Sequence, residues 1–366
     1  MESDYTIIGG GIVGLSVGWG LLQRGRTVTI LDGDDGSFRA SRGNFGLVWV
    51  QSKGMNQPRY AKWSQQSAEI WANFANEISD NTGKPVPLEQ NGGLDLHFSE
   101  ASLDSTVQQY EKLKAQLGGD YPYEVLGHNA LRRAEPHIGP KVIGAILHHQ
   151  DGHANPLKLM VALAADVRRL GGRVVSGKLV TKVTKQGAFC ITCTDGTSIS
   201  SDKVILSAGL GVAQLGPMMG FKAPIRPQRG QVLITEKLPK LINRPSLIAR
   251  QVDEGGIQIG ATNEEVGLND RETQPGLSGL AAEAIAAYPA LARAQLVRSW
   301  GALRILSPDG LPIYQESEDM PGAYLVTCHS GITLAAAHAR LLPDWLESTN
   351  AAPDLEVFSE QRFAVS

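Results

Sequence analysis

A strand, a glycine turn and a helix open this chain, and together they limit the folds open to it. Residues 6–8 are an apolar run, Gly9, Gly11 and Gly14 follow with G-x-G-x-x-G spacing, and Ile12 and Val13 lead into a helix predicted over residues 12–24. A second apolar run, 27–31, ends at Asp32. In this order Gly9 permits the tight turn that ends the strand, Gly11 lets the backbone approach a pyrophosphate, and Gly14 lets the helix lie close on the sheet. The first amides of a helix have no partner within it and bind phosphate oxygens. Gly14 and Gly18, one turn apart, mark the face that packs. Asp32 suits a ribose diol and would repel a 2'-phosphate, which argues against an NADP-type ligand. The segment therefore predicts a Rossmann-type dinucleotide site in an α/β fold.

The chain has 366 residues, 42% hydrophobic and 19% charged, enough for a large core and about two domains. A formal net charge of -3 with no basic stripe makes nucleic acid and anionic membrane poor partners. No apolar stretch reaches the length of a transmembrane segment, and the N-terminus enters a strand at once instead of a cleavable leader, so the expectation is a cytoplasmic protein. Cys190 and Cys193 lie in a predicted strand, 188–194, and point to opposite faces. His148, His149 and His153 form the one histidine cluster, but neighbours at a strand end diverge and no cysteine completes a ligand set. No metal site is expected.

Farther along, apolar spacing predicts a helix at 60–78, a polar helix follows at 103–117, and a further helix at 157–170 is opened by Asn155 and Pro156 and closed by Gly171 and Gly172. Strands are predicted at 93–98, 173–175, 189–194, 203–207, 231–235 and 257–260. Their alternation implies two interleaved domains. Segments 1–85, 148–218 and 300–366 form a parallel-sheet dinucleotide-binding domain, and 86–147 with 219–299 form a mainly antiparallel, α+β substrate domain.

Five blocks then resemble the D-amino-acid oxidase family of flavoenzymes, which includes glycine and sarcosine oxidases. They are the Gly9–Gly14 turn with Asp32, the loop 40–46 (ASRGNFG), 151–156 (DGHANP), 204–209 (VILSAG), and 300–304 (WGALR) continuing to 307–312 (SPDGLP). A sixth, 328–334 (CHSGITL), replaces the family's more usual Gly-His-Gly and is most similar to the beta subunits of opine oxidases and of proline or hydroxyproline dehydrogenases. The resemblance implies non-covalent FAD. Ser41, Arg42, Asn44, Phe45 and Gly46 would then lie along its pyrophosphate, ribityl chain or ring; Val180 would offer its backbone to adenine, and Ala208 and Gly209 would sit near the phosphates. Gly331, Ile332 and Thr333, read as the N-terminus of a helix over 334–342, would place amides and a dipole against the flavin ring.

By the same resemblance Arg304 anchors a substrate carboxylate, and His329 either polarises the ring or substrate or simply hydrogen-bonds backbone. Arg250 reads as a framework arginine and Cys328 as a small buried thiol. One departure is that 246–262 lacks the tyrosine or histidine with which relatives often hold that carboxylate. The implied reaction is FAD-dependent oxidation of a secondary amine such as an opine or (hydroxy)proline to an imine, by hydride transfer to the flavin. The electrons then pass to an acceptor other than NAD, through a second subunit. An NAD-linked dehydrogenase and a non-catalytic flavin-binding subunit of an electron-transfer complex stay open as alternatives.

Overall fold

Ile7 stands in register with Ile30 on one side and Ile205 on the other, and all three are fully buried. The opening strand, Tyr5–Ile8, is thus central in its sheet. The structure is a computed structural model that describes residues 3–33 and 39–364. The six-stranded sheet runs Ile313–Glu316, Ala323–Thr327, Lys203–Leu206, Tyr5–Ile8, Val28–Leu31, Arg173–Val175. All neighbours are parallel except the edge strand Ile313–Glu316, which is antiparallel. Tyr5–Ile8 and Val28–Leu31 are buried at every residue, which is why they carry no charged residue and do not alternate between apolar and charged faces.

Helices Ile12–Gln23 and Pro156–Arg169 lie against this sheet, and Pro58–Thr82 and the short helix Ala335–Arg340 pack on those helices. Pro156–Arg169 starts where the Asn155 side chain accepts a hydrogen bond from the Lys158 amide at 3.2 Å. At the opening turn the packing is tight. A Cβ on Gly14 would lie 2.0 Å from the Gly9 carbonyl oxygen and 2.7 Å from Ser207 Oγ.

A second, antiparallel sheet has four strands in the order Ala249–Gln251, Gly256–Gly260, Arg226–Lys237, Leu296–Leu306. Helix Gln274–Ala287 packs on it, and Leu233, Ile257, Ile259, Leu280 and Ala284 share one core there. The strands of the parallel sheet all lie within 1–85, 148–218 and 300–366, whereas Leu296–Leu306 runs through residue 300, where a domain boundary was expected. It does so because its pairing with Arg226–Lys237 continues without a break to Arg226 opposite Leu306. Among the described residues no helix is long and apolar enough to cross a membrane.

The Gly14 contact yields a direct test by urea unfolding. Gly14→Ala should lower stability by about 1–3 kcal/mol, because the new methyl meets backbone that cannot step aside. Gly279→Ala, at an exposed helical position with nothing within 4 Å, should be neutral or stabilising by up to about 1 kcal/mol. Equal midpoints for the two variants would show that the turn tolerates a side chain.

Candidate active site

Each parallel strand hands the chain to a residue at one rim of the sheet. Gly9, Asp32, Ser176, Ser207 and Cys328 directly follow the last residues of their strands, and all five line a cavity of about 850 Å³. Open α/β sheets bind ligands at this carboxyl rim, and the volume is at the upper end of the range for cofactor sites.

The residues present fit a dinucleotide with a pyrophosphate at the helix start. Gly9 has φ of +116°, and a Cβ there would lie 2.4 Å from the Ser207 carbonyl oxygen, so only glycine turns the chain here. Ser41 Oγ accepts a hydrogen bond from the Ile12 amide at 3.1 Å, which puts an oxygen at the helix N-terminus, where a phosphate oxygen would go. A Cβ on Gly11 would intrude 2.9 Å from that Oγ. Asp32 Oδ2 accepts from the Gly10 amide at 2.7 Å and is thereby held at the rim. Gly11, Ile12, Val13, Arg42 and Asn44 line the same cavity, as do Val180, Ala208 and Gly209 farther along it. Gly14 does not; its role is the close packing already described.

A second chamber of about 390 Å³ adjoins the first, and Asn44, Leu303, Ile305, His329 and Ile332 line both. Arg304 lies here. Its Nη1 donates to the Thr262 carbonyl at 2.7 Å and, at 3.4 Å, to Gln228 Oε1 and the Arg229 carbonyl, while Nε and Nη2 have no acceptor among the described residues. A Cβ on Gly230 would come within 2.8 Å of Arg304 Cζ, so the guanidinium lies against the facing strand only because a glycine leaves room. Thr262 is fixed in turn: its hydroxyl donates to Glu264, which pairs with the buried Arg229. Burial lowers the Arg304 pKa without neutralising it.

The turn that joins the two cavities is built from behind by helix Pro58–Thr82. Trp71 Nε1 donates to the Ile332 carbonyl at 3.0 Å and Ser67 Oγ to the Thr333 carbonyl at 2.7 Å. Gly331 and Ile332 face the first cavity, and Thr333 the second. The helix expected over 334–342 is interrupted, as Ala335–Arg340 and then Leu342–Leu346, because Pro343 cannot continue the ladder. With six residues in the first piece, backbone amides rather than a long dipole face the cavity. In the loop 40–46, Phe45 lines the second chamber and Gly46 lines neither; a Cβ on Gly46 would meet the Ala154 carbonyl at 2.5 Å and Arg250 Nη2 at 2.7 Å.

Arg250 is buried among the Phe45 carbonyl, His153 Nδ1 and Gln258 Oε1, a framework position. Cys328 is buried, and burial pushes its thiol up to about 12, so the sulfur stays protonated. Cys190 is exposed and Cys193 buried, on opposite faces of Ala188–Cys193. His148 is buried, His149 meets Glu124 at 2.8 Å and His153 meets Arg250, so the three diverge. No group of His, Cys, Asp and Glu among the described residues is placed to hold a metal ion.

His329 makes no hydrogen bond among the described residues, which disfavours the backbone-bonded alternative. Burial, helped by Lys53 and Arg304, holds its pKa down to about 3. A residue that sequence reasoning missed stands beside it. Lys53 lines the second chamber, and its Nζ donates to Ser330 Oγ at 2.5 Å; that Oγ also bonds Tyr60 Oη at 2.9 Å. Residues 51–54 have no periodicity and no motif, so no signal in the sequence marks this lysine.

A family model described as FAD dependent oxidoreductase matches residues 4–345. An opine oxidase subunit of Rhizobium meliloti is 40% identical over 364 residues, 99% of this chain and 98% of its own. The opine oxidase subunit of the same name from Agrobacterium tumefaciens (strain Ach5) is 41% identical over the same shares. Among solved structures, glycine oxidase from Geobacillus kaustophilus superposes with a TM-score of 0.91 at 23% identity, covering 98% of each chain.

Because its folded pKa is depressed from 6.5 to about 3, the His329 imidazole stays neutral at physiological pH. The unfolded chain takes up a proton there as pH falls through 6.5 and the native one does not, so this group disfavours the fold progressively below pH 6.5. In histidine-labelled protein, NMR should show the ring neutral from about pH 8 to 5. A midpoint within that window would contradict the assignment.

Proposed function

Because the chain belongs to the FAD dependent oxidoreductase family, we propose that it oxidises the carbon–nitrogen bond of a secondary amino acid, such as an opine or a (hydroxy)proline, to an imine. The observation that carries this is Arg304, a cation with unused donors in a chamber that opens on the cofactor cavity. Bound FAD supplies the oxidant, taking the electron pair and hydrogen from the carbon next to nitrogen.

The chain's own residues bind and orient. Arg304 grips the substrate carboxylate through Nε and Nη2, a planar fork that fixes which face of the adjacent carbon points to the first cavity. Thr262 and Gln228 hold the guanidinium still from the other side. Phe45, Leu303 and Ile305 supply apolar stretches of the wall. Neutral His329 spans both cavities and adds a hydrogen-bonding group without a second charge at the reacting carbon. No carboxylate lines the chamber among the described residues, so the amine enters unprotonated. The imine that leaves is open to hydrolysis to a 2-oxo acid and an amine.

Membership of an FAD family sets aside the NAD-linked alternative. The names of the relatives support work in a complex, since each is named as one subunit of an opine oxidase; in that assembly a second subunit passes the electrons on. A scaffold without catalysis would have no use for an oriented, unpaired arginine next to the cofactor.

Mixing the protein anaerobically with secondary amino acids should bleach its flavin, and indifference to every such compound would overturn the proposal. Arg304→Ala should keep its FAD and lose about 100-fold or more in kcat/KM on carboxylate substrates, the scale of removing one partner of a buried charge pair. Unchanged turnover would exclude Arg304 as the anchor.

A further inference from the structure

The charges around the second chamber do not balance. Arg304 and Lys53 line it, and no aspartate or glutamate among the described lining residues answers them. No carboxylate among the described residues comes within ion-pair distance of either. Elsewhere the protein treats buried cations differently: Arg229, with 3% of its side chain exposed, pairs with Glu264, and Arg250 spends its donors on three neutral acceptors. Lys53 has three N–H donors and one partner, Ser330 Oγ.

We infer that Lys53 is a second anion-binding residue of the substrate chamber, and that the chamber thereby selects amines with an acidic group on each side of the nitrogen. This rests on the reading of the chain as a secondary-amine oxidase and adds to it a residue and a narrower substrate class. One carboxylate satisfies Arg304 and leaves Lys53 desolvated and unpaired; a second, on the other substituent of the nitrogen, satisfies both.

None of the groups that face Lys53 is a fully charged counter-ion within ion-pair distance. Cys328 stays a thiol, and His329 is neutral. Asp151, fully buried, takes hydrogen bonds from the Val50 amide at 2.5 Å and from Gln51 Nε2 at 2.9 Å, and burial pushes its carboxyl up to about 7. Tyr60 offers its ring, 5.8 Å from Nζ, and burial keeps its hydroxyl protonated. Trp49 adds a further donor: it lines the chamber, is 3% exposed, and its Nε1 has no acceptor among the described residues. Burial outweighs the attraction of the more distant Asp151 and brings the Lys53 pKa down to about 8. At neutral pH the group is therefore still an ammonium, which has no lone pair to take a proton from the substrate but does attract an anion. A bound carboxylate would raise that pKa, so dicarboxylate binding should weaken as pH rises above about 8 while monocarboxylate binding does not.

The test uses the full chain with FAD bound and compares two probe classes by anaerobic flavin reduction: iminodiacetate and N-(1-carboxyethyl)alanine against proline and N-methylalanine. The wild-type protein should favour the dicarboxylates, and Lys53→Met should cut the ratio of the two kcat/KM values by about 30-fold or more, chiefly through KM. Lys53→Arg should restore most of the ratio. A ratio that Lys53→Met leaves unmoved, or a wild-type preference for monocarboxylates, overturns the assignment and leaves the amine-oxidase reading standing. Reduction by neither class overturns both. Should Lys53→Met not fold, the wild-type pH profile of dicarboxylate binding decides: a loss above about pH 8 specific to dicarboxylates supports the assignment, and parallel profiles for the two classes refute it.

Discussion

The architecture turns on one close approach. Gly9, Gly14 and Ser207 come from a strand end, a helix and a second strand end, and they meet in a space that no side chain can share. That contact sets the helix Ile12–Gln23 down on the sheet at its rim, and the first amides of the helix then point along the line of strand ends. Since the sheet is parallel, every strand but the antiparallel edge finishes on this side, so residues as distant in sequence as Asp32, Ser207 and Cys328 line one cavity.

The proposed substrate-binding residues are set in place by register in the other sheet. Gln228 pairs with Arg304 and Gly230 with Ala302 along the strands Arg226–Lys237 and Leu296–Leu306. Gln228, Gly230, Ala302 and Arg304 all line the second chamber, so one antiparallel pair supplies the arginine, its amide brace and the space it occupies. A slip of one residue would turn all of them to the other face. The polar group made by Arg229, Glu264, Thr262 and Gln231 holds the following loop to this strand, which ties the Thr262 carbonyl to Arg304.

The dinucleotide half was legible in the sequence because its constraints are local. Glycine spacing, an apolar run and an acidic residue at the strand end each have one physical cause, and the helices Pro58–Thr82 and Pro156–Arg169 show strong apolar spacing. The second half was less legible. Leu296–Leu306 holds Arg298, Ser299, Gly301 and Arg304, with no alternation to mark a strand, and its length is imposed by its partner. Helix Gln274–Ala287 is rich in alanine and glycine and has no clear apolar face. Arg304 was found by resemblance to a block. Lys53 belongs to no block, and its importance arises only when the chain folds Ser330 and Tyr60 around it.

Burial also assigns charge within the site. His329 and Cys328 are kept neutral, and Asp151 is drawn toward neutrality. A guanidinium resists the same desolvation because its charge is delocalised and its basicity is very high, and an ammonium at the edge of a chamber yields only in part. One set of buried walls therefore removes or weakens the negative charges and leaves the two cations. Under the proposed function, such a site is completed by an anion, and its affinity is directed at the ligand's acidic groups and not at its nitrogen. On the proposed reading, the amine is held by what flanks it, and the carbon to be oxidised is positioned without any protein group bonded to the nitrogen.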